Sequence, residues 1–196
     1  MQLVLASRNE HKLRELRVLF PGWEIEALDA DEFPEEKGGT FFENARAKAL
    51  FARTVTESDV AALGEDSGLE VEGLDGRPGI RSARYAGAAA TDEDNVARLL
   101  EELRGVRGGG RNARYVSELV FLSPELEEVR ATGVLEGRIG EEPRGSEGFG
   151  YDPVFVPAGE TRTVAELGDE WKRQHSHRAR AAAALREAVG SVPEDG

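Results

Sequence analysis

The sequence predicts an α/β protein built on a mixed β-sheet, and three observations lead there. Short apolar runs alternate with amphipathic helical stretches through the first part of the chain, the pattern of parallel strands joined by helices. Further on, residues 112–123 and 126–139 read as two long strands joined by a turn at Ser123-Pro124-Glu125, which makes a hairpin. The composition, 39% hydrophobic and 32% charged, is that of a soluble globular protein. At 196 residues the chain suits one domain over 1–196, or two lobes sharing one core.

The elements follow in order. Met1-Gln2-Leu3-Val4-Leu5-Ala6 reads as a first buried strand, too short for a signal-peptide core. No apolar run approaches the roughly 18 residues of a membrane span, so a cytoplasmic protein with no membrane partner is expected. Ser7-Arg8-Asn9-Glu10-His11-Lys12 leads into a helix whose Leu13, Leu16, Leu19 and Phe20 recur at three and four residues, and Pro21-Gly22 ends it. A strand at 23–28 and an acidic loop at 29–39 come next. Thr40 and Glu43 form a capping box that opens a helix with an apolar face of Phe42, Ala45, Ala49 and Ala52. Thr91 with Asp94 and Thr163 with Glu166 mark two later helix starts.

Residues 60–63 read as a strand that runs out into a Ser-Gly turn just after Glu65-Asp66. In 112–123, Tyr115, Leu119 and Phe121 alternate with the equally apolar Val116, Val120 and Leu122, so both faces of that strand are expected to be covered. A short strand at 154–156 and an alanine-rich helix at 176–189 complete the chain. Gly108-Gly109-Gly110 is read as a mobile tip.

Charge narrows the function. A net charge of −13 argues against a general nucleic-acid binder, whose affinity comes from basic surface. A small polyanion needs only a few local cations and a divalent metal, for which acidic residues supply ligands. Arginine outnumbers lysine about five to one, which singles out Lys12, Lys37, Lys48 and Lys172 as places for a compact ammonium. The absence of cysteine excludes disulfides and thiolate metal sites.

Five segments carry candidate chemistry. Glu65 and Asp66 place two carboxylates at the end of a strand, a position that suits a metal ligand or a water-activating base; an acidic surface turn is the ordinary alternative. Ser7 to Lys12 joins a strand to a helix N-terminus, where free N–H groups attract phosphate, but it lacks the P-loop pattern. Glu36 in the acidic loop could join Asp66 in holding magnesium, with water and phosphate filling the other positions; its neighbour Glu35 lies in the same charge run. Gly148-Phe149-Gly150-Tyr151-Asp152 is a glycine-flanked aromatic turn in which Phe149 could stack on a planar base. Near the C-terminus, Arg173, Arg178, Arg180 and Arg186 could be no more than a solvated basic helix face; alternatively, Lys172, His177 and Arg178 could offer donors to a purine carbonyl.

Taken in order and spacing, these segments resemble the inosine/xanthosine triphosphate pyrophosphatase family. The matching stretches are Ser7-x-Asn9-x-x-Lys12, Thr40-Phe41-x-Glu43-Asn44-Ala45-x-x-Lys48, Asp66-Ser67-Gly68-Leu69, Pro78-Gly79-Ile80-x-Ser82-Ala83-Arg84-Tyr85, Gly148-Phe149-Gly150-Tyr151-Asp152-Pro153 and Ser176-His177-Arg178. The resemblance implies an elongated mixed sheet with two lobes around an active-site cleft, a homodimer, and magnesium-dependent hydrolysis of ITP, dITP and XTP to monophosphate and pyrophosphate. It implies Asp66 as catalytic carboxylate and magnesium ligand, with Glu36 as second ligand. The loop Ser7, Arg8, Asn9, Glu10, His11 and Lys12, together with Lys48 and Ser67, would hold the triphosphate. Phe149, Gly150, Tyr151, Asp152, Lys172, His177 and Arg178 would form the nucleoside pocket. Arg8, Glu65 and Glu147 depart from the usual pattern. The rival readings are a related pyrophosphatase acting on other modified nucleotides, and a non-catalytic nucleotide- or RNA-binding module.

Overall fold

The computed structural model describes residues 1–30, 33, 36–57 and 59–190. Strands β1 (Gln2–Leu5), β2 (Glu24–Ala27), β3 (Ala61–Val71), β4 (Asn112–Leu122), β5 (Glu128–Ile139) and β6 (Phe155–Pro157) form one sheet in the order β2-β1-β3-β4-β5-β6. Helices α1 (Glu10–Leu19), α2 (Phe41–Val55), α3 (Asp92–Glu102), α4 (Val164–His175) and α5 (His177–Gly190) flank it. The sheet is mixed. β1 runs parallel to both neighbours, with Leu3 opposite Ile25 of β2 and Ala61 of β3, whereas β6 is antiparallel to β5, with Phe155 opposite Ile139.

The chain forms two compact units, and β3, β4 and β5 each pass from one into the other. The first comprises the described residues of Met1–Asp66, Ser117–Gly133 and Arg178–Gly196; the second comprises Ser67–Val116 and Val134–His177. In the first, strand alternation sorts the core by face. Leu3, Leu5, Leu63, Leu119 and Phe121 pack with Leu16 of α1, Phe20 just after it and Leu185 of α5. Val120 and Leu122, on the other face of β4, pack with Ala45 and Ala49 of α2. Both faces of β4 are therefore covered, as its double apolar pattern predicts. The second unit has its own core, in which Leu69, Val71, Tyr115, Leu135, Tyr151 and Phe155 meet Val96 and Leu99 of α3 and Val164 of α4.

All three capping boxes form: at Thr40, Thr91 and Thr163 the side chain accepts from the backbone three residues on, while Glu43, Asp94 and Glu166 accept in return. Two expectations are corrected. Glu65-Asp66-Ser67-Gly68 is no turn, because β3 runs straight through it to Val71. Leu69 and Val71 are fully buried in the second core and hold the strand extended, overriding the local turn preference of Ser-Gly. Nor is the triple glycine a mobile tip. It lies in a 3₁₀ turn over Gly108–Arg111, tied down by buried Arg111, whose guanidinium donates to the carbonyls of Ile139 (2.9 Å), Leu103 (3.1 Å) and Gly140.

Candidate active site

Because side chains alternate along a strand, the adjacent carboxylates Glu65 and Asp66 face opposite sides of β3. Glu65 continues the Leu63 face toward α1 and α5; Asp66 continues the Ala62 face toward α2. One acidic dipeptide thus serves two different clusters.

On the Glu65 side, the loop after β1 is organised by its own polar groups. Asn9 caps α1, its Oδ1 accepting from the backbone N–H groups of His11 (2.9 Å) and Lys12 (3.1 Å). Ser7 Oγ accepts from Asn9 N–H at 3.1 Å. Arg8 lies over the Phe33 ring, 4.7 Å from its centroid. Glu10 and His11 are exposed on the first turn, with His11 Nδ1 2.8 Å from Arg14 Nη2. Lys12 turns inward, and its Nζ meets Glu65 Oε2 at 2.7 Å. Glu65 Oε1 accepts from Nε and Nη2 of Arg178, both at 3.2 Å, and from Ser117 Oγ at 3.4 Å, while the other arm of Arg178 donates to Glu15. Arg178 is 2% exposed, so it is no part of a solvated face. Burial alone would push its guanidinium down, but the charges of Glu65 and Glu15 outweigh that and hold it above the usual arginine value. Two cations and two carboxylates balance within this network, which is what makes its burial tolerable.

On the Asp66 side, α2 closes onto β3 at Gly64, where a Cβ would lie 2.7 Å from Ala49 N. That close approach brings Asn44 and Lys48, one turn apart on α2, to the carboxylate. Asn44 Nδ2 donates to Asp66 Oδ2 at 3.2 Å, and Lys48 Nζ donates to Asp66 Oδ1 at 2.9 Å and to the Glu65 carbonyl at 3.2 Å. Lys48 Nζ also meets Glu36 Oε1 at 2.6 Å. Burial raises the Asp66 carboxyl above the ordinary range, although Lys48 and Lys12 pull the other way. Burial would lower the Lys48 ammonium, but Asp66 and Glu36 more than compensate and raise it.

Glu36 and Asp66 therefore converge on a single cation. Two hard carboxylate oxygens gathered around one positive charge fit magnesium, which is held by one or two carboxylates and takes its other ligands from water and phosphate. Among the described residues no group of three His, Cys, Asp or Glu forms a metal cluster, so a metal held by protein ligands alone does not fit. Glu35 lies outside the described residues. Glu43 is committed to its capping box. Ser67, next along β3, is half-buried.

The second unit holds the other set. Asp152, 4% exposed, accepts from Phe149 N–H (3.0 Å), Lys172 Nζ (2.8 Å) and Tyr115 OH (3.4 Å). The Lys172 ammonium also lies 4.6 Å from the Phe149 ring centroid. Tyr115 stacks on His177 with centroids 4.6 Å apart and planes 8° from parallel. Burial next to Asp152 keeps the Tyr115 phenol neutral by pushing its pKa well up. Gly150 N–H donates to Asp92 at 2.6 Å. The Tyr151 side chain is buried, its OH donating to the Ser82 carbonyl at 2.8 Å, so this residue braces the turn. Ser82 in turn accepts from Leu69 N–H at 2.9 Å, which gives the Pro78-to-Tyr85 motif a structural task. Glu147 accepts from Asp169 N–H at 3.1 Å.

Asn44, Glu15 and Tyr115 are among the residues of these clusters that the sequence did not mark as site residues. Asn44 is a buried polar residue on an apolar helix face, a signal present in the sequence. Glu15 lies three residues after Lys12 on the same side of α1. Tyr115 read only as an apolar strand position, and nothing local distinguishes it.

Known proteins place the chain. The Ham1 family model matches residues 3–188. A Methylococcus capsulatus protein named dITP/XTP pyrophosphatase is 48% identical over 190 residues, covering 94% of each chain. The structure of the Staphylococcus aureus Ham1 protein is similar with a TM-score of 0.86 at 36% identity, over 98% of this chain and 100% of that one. A crystal structure of a nucleoside-triphosphatase, dITP/XTP pyrophosphatase, from Mycobacterium abscessus gives a TM-score of 0.75 at 42% identity, over 96% and 100% of the respective chains. With nearly the whole sequence matched, the chain belongs to the Ham1 family.

Proposed function

We propose that this protein hydrolyses the deaminated purine nucleoside triphosphates ITP, dITP and XTP to monophosphate and pyrophosphate, clearing them from the nucleotide pool. It is a hydrolase of acid anhydrides, working as a magnesium-dependent cytoplasmic homodimer whose residues 1–196 act as one catalytic domain. The observation that carries this reading is the convergence of Glu36, Asp66 and Lys48, within a chain of this family.

In the proposed mechanism Glu36 and Asp66 would hold a magnesium ion, which would supply charge neutralisation for phosphate and a lowered pKa for the attacking water. Asp66 orients that water toward the α-phosphorus and accepts its proton late. A free aspartate is a weak base at neutral pH, with a pKa of about 3.9. Burial raises the Asp66 carboxyl, whereas a bound dication would lower it, which is why its proton acceptance comes late. Ser7, Arg8, Asn9, Glu10, His11 and Lys12, with Lys48 and Ser67, line the triphosphate. The helix N-terminus capped by Asn9 adds its dipole there.

Phe149, Gly150, Tyr151, Asp152, Lys172 and His177 form the nucleoside side, whereas Arg178 is committed to Glu65 and Glu15. Lys172 meets the purine 6-oxo group of hypoxanthine or xanthine. Adenine would set an amino donor against a buried donor, a mismatch worth factors of about 10⁴ in a site built around the hydrogen bond.

The test is product release from ITP, XTP, dITP, ATP and GTP with and without magnesium, reading pyrophosphate and orthophosphate separately. Magnesium-dependent pyrophosphate from the first three, and little from ATP or GTP, is expected. Orthophosphate as product, or turnover without preference for 6-oxopurines other than guanine, would overturn the reading.

A further inference from the structure

We infer that Lys48 is an exchangeable counter-cation: a divalent ion entering between Glu36 and Asp66 displaces its ammonium, which then moves onto the nucleotide phosphate. The inference rests on the reading of those two carboxylates as a metal site.

The geometry supports displacement of this residue rather than another. Lys48 Nζ is in ion-pair contact with both acids, 2.6 Å from Glu36 Oε1 and 2.9 Å from Asp66 Oδ1. A dication sharing those oxygens meets a full positive charge at close range. The other oxygen of Asp66 accepts from Asn44, a neutral amide that a dication repels far less. Of the two side chains holding Asp66, Lys48 is the one that must yield. Its side chain is 13% exposed and ends a flexible four-carbon stem, so the ammonium can move while α2 stays in place. The Glu65 carbonyl, 3.2 Å from Nζ, carries no net charge and can retain the ammonium during the exchange.

The exchange has a thermodynamic consequence. Once displaced, the ammonium gives up two charge-assisted hydrogen bonds in a largely buried place, which is unfavourable unless another anion receives it. The triphosphate is that anion. Metal and nucleotide should therefore favour each other's binding beyond simple chelation, and by linkage the coupling is the same in both directions. The lysine also keeps the two carboxylates from repelling one another and from binding free divalent ions tightly.

The test uses the full chain without nucleotide and Mn²⁺ as a spectroscopically visible probe. Wild type, Lys48→Met and Lys48→Gln are titrated, with circular dichroism to verify the fold; the second variant serves should the first not fold. Both are expected to bind Mn²⁺ about tenfold or more tightly than wild type, the scale of an ordinary coupling between two sites. Adding Glu36→Gln to Lys48→Met is expected to remove the gain. Equal or weaker Mn²⁺ binding by a folded Lys48 variant overturns the counter-cation role. Magnesium-dependent turnover of dITP by wild type, measured alongside, separates the two failures. Turnover without tightening removes only this inference. Absence of both turnover and Mn²⁺ binding removes the metal site, and the inference with it.

Discussion

Asp66 is subject to opposing influences: burial raises its carboxyl, and the neighbouring Lys48 and Lys12 lower it. Replacing it with asparagine keeps the shape and the contact with Asn44 but removes the charge that would hold the metal and take the proton. Asp66→Asn is expected to lower kcat by about 10²–10⁴-fold, the range for a positioned acid-base group, with nucleotide affinity changed only a few-fold by calorimetry. Near-normal turnover would remove Asp66 from the mechanism. At this scale the sequence was informative about residue types and silent about direction. Lys12, Lys48 and Glu36 stood out by type and context, and Glu36 and Asp66 do both meet Lys48. That Glu65 faces α1 while Asp66 faces α2 depends on β3 continuing as a strand, which the Ser-Gly pair concealed.

At the scale of elements, α2 is aimed by its packing at Gly64. Gly64→Ala should push the helix off the strand, since the new Cβ would meet the backbone of Ala45 and Ala49 rather than a movable side chain. We expect a loss of about 1–3 kcal/mol in urea unfolding, as for an overpacked core, with a larger effect on kcat than on stability because Lys48 and Asn44 move with the helix. A second element-level device ties the 3₁₀ turn at Gly79–Arg84 to α3. Glu102 of α3 accepts from Tyr85 OH at 2.7 Å, Arg77 at 2.6 Å and Arg98 at 3.0 Å. The hydrogen bond from Tyr85, then those from the arginines, pull Glu102 from 4.5 to about 2, against a smaller opposing effect of burial. Burial, with the same hydrogen bond, pushes Tyr85 up from 10.0 to about 12. The unfolded chain binds the proton of Glu102 first, so the carboxylate's contribution is complete above pH 4.5 and is lost as pH falls toward 2. The contribution of Tyr85 is complete below pH 10 and is lost as pH rises toward 12. Thermal melts of Glu102→Gln across pH 2.5–6 should show a shallower acid limb than wild type; identical limbs would refute the assignment. Capping boxes, apolar periodicity and the hairpin turn are local codes, which is why the elements were legible. The contacts of Glu102 with Tyr85 and Arg77 join residues 17 and 25 apart, and no local pattern announces them.

For the whole molecule, the −13 charge sets what it avoids. Non-specific nucleic-acid binders work at about 10⁻⁴–10⁻⁶ M through many basic contacts, and this chain should give no anisotropy change with a fluorescent single-stranded RNA in that range. Metal-independent RNA binding would restore the rival reading of a binding module. The mixed sheet was readable from the order of strands and helices, whereas the extent of each unit was not. Its boundaries fall inside β3, β4 and β5 and between His177 and Arg178, where composition does not change. Neighbours in sequence thus part company: Asp66 belongs to the first unit and Ser67 to the second. Since the chain passes between the units four times, neither is a continuous stretch of gene. No single cut liberates either one, and reassembling the protein from its units would require three fragments of one and two of the other. A premature stop or a transplanted segment should therefore leave no half-enzyme behind, only an incomplete sheet.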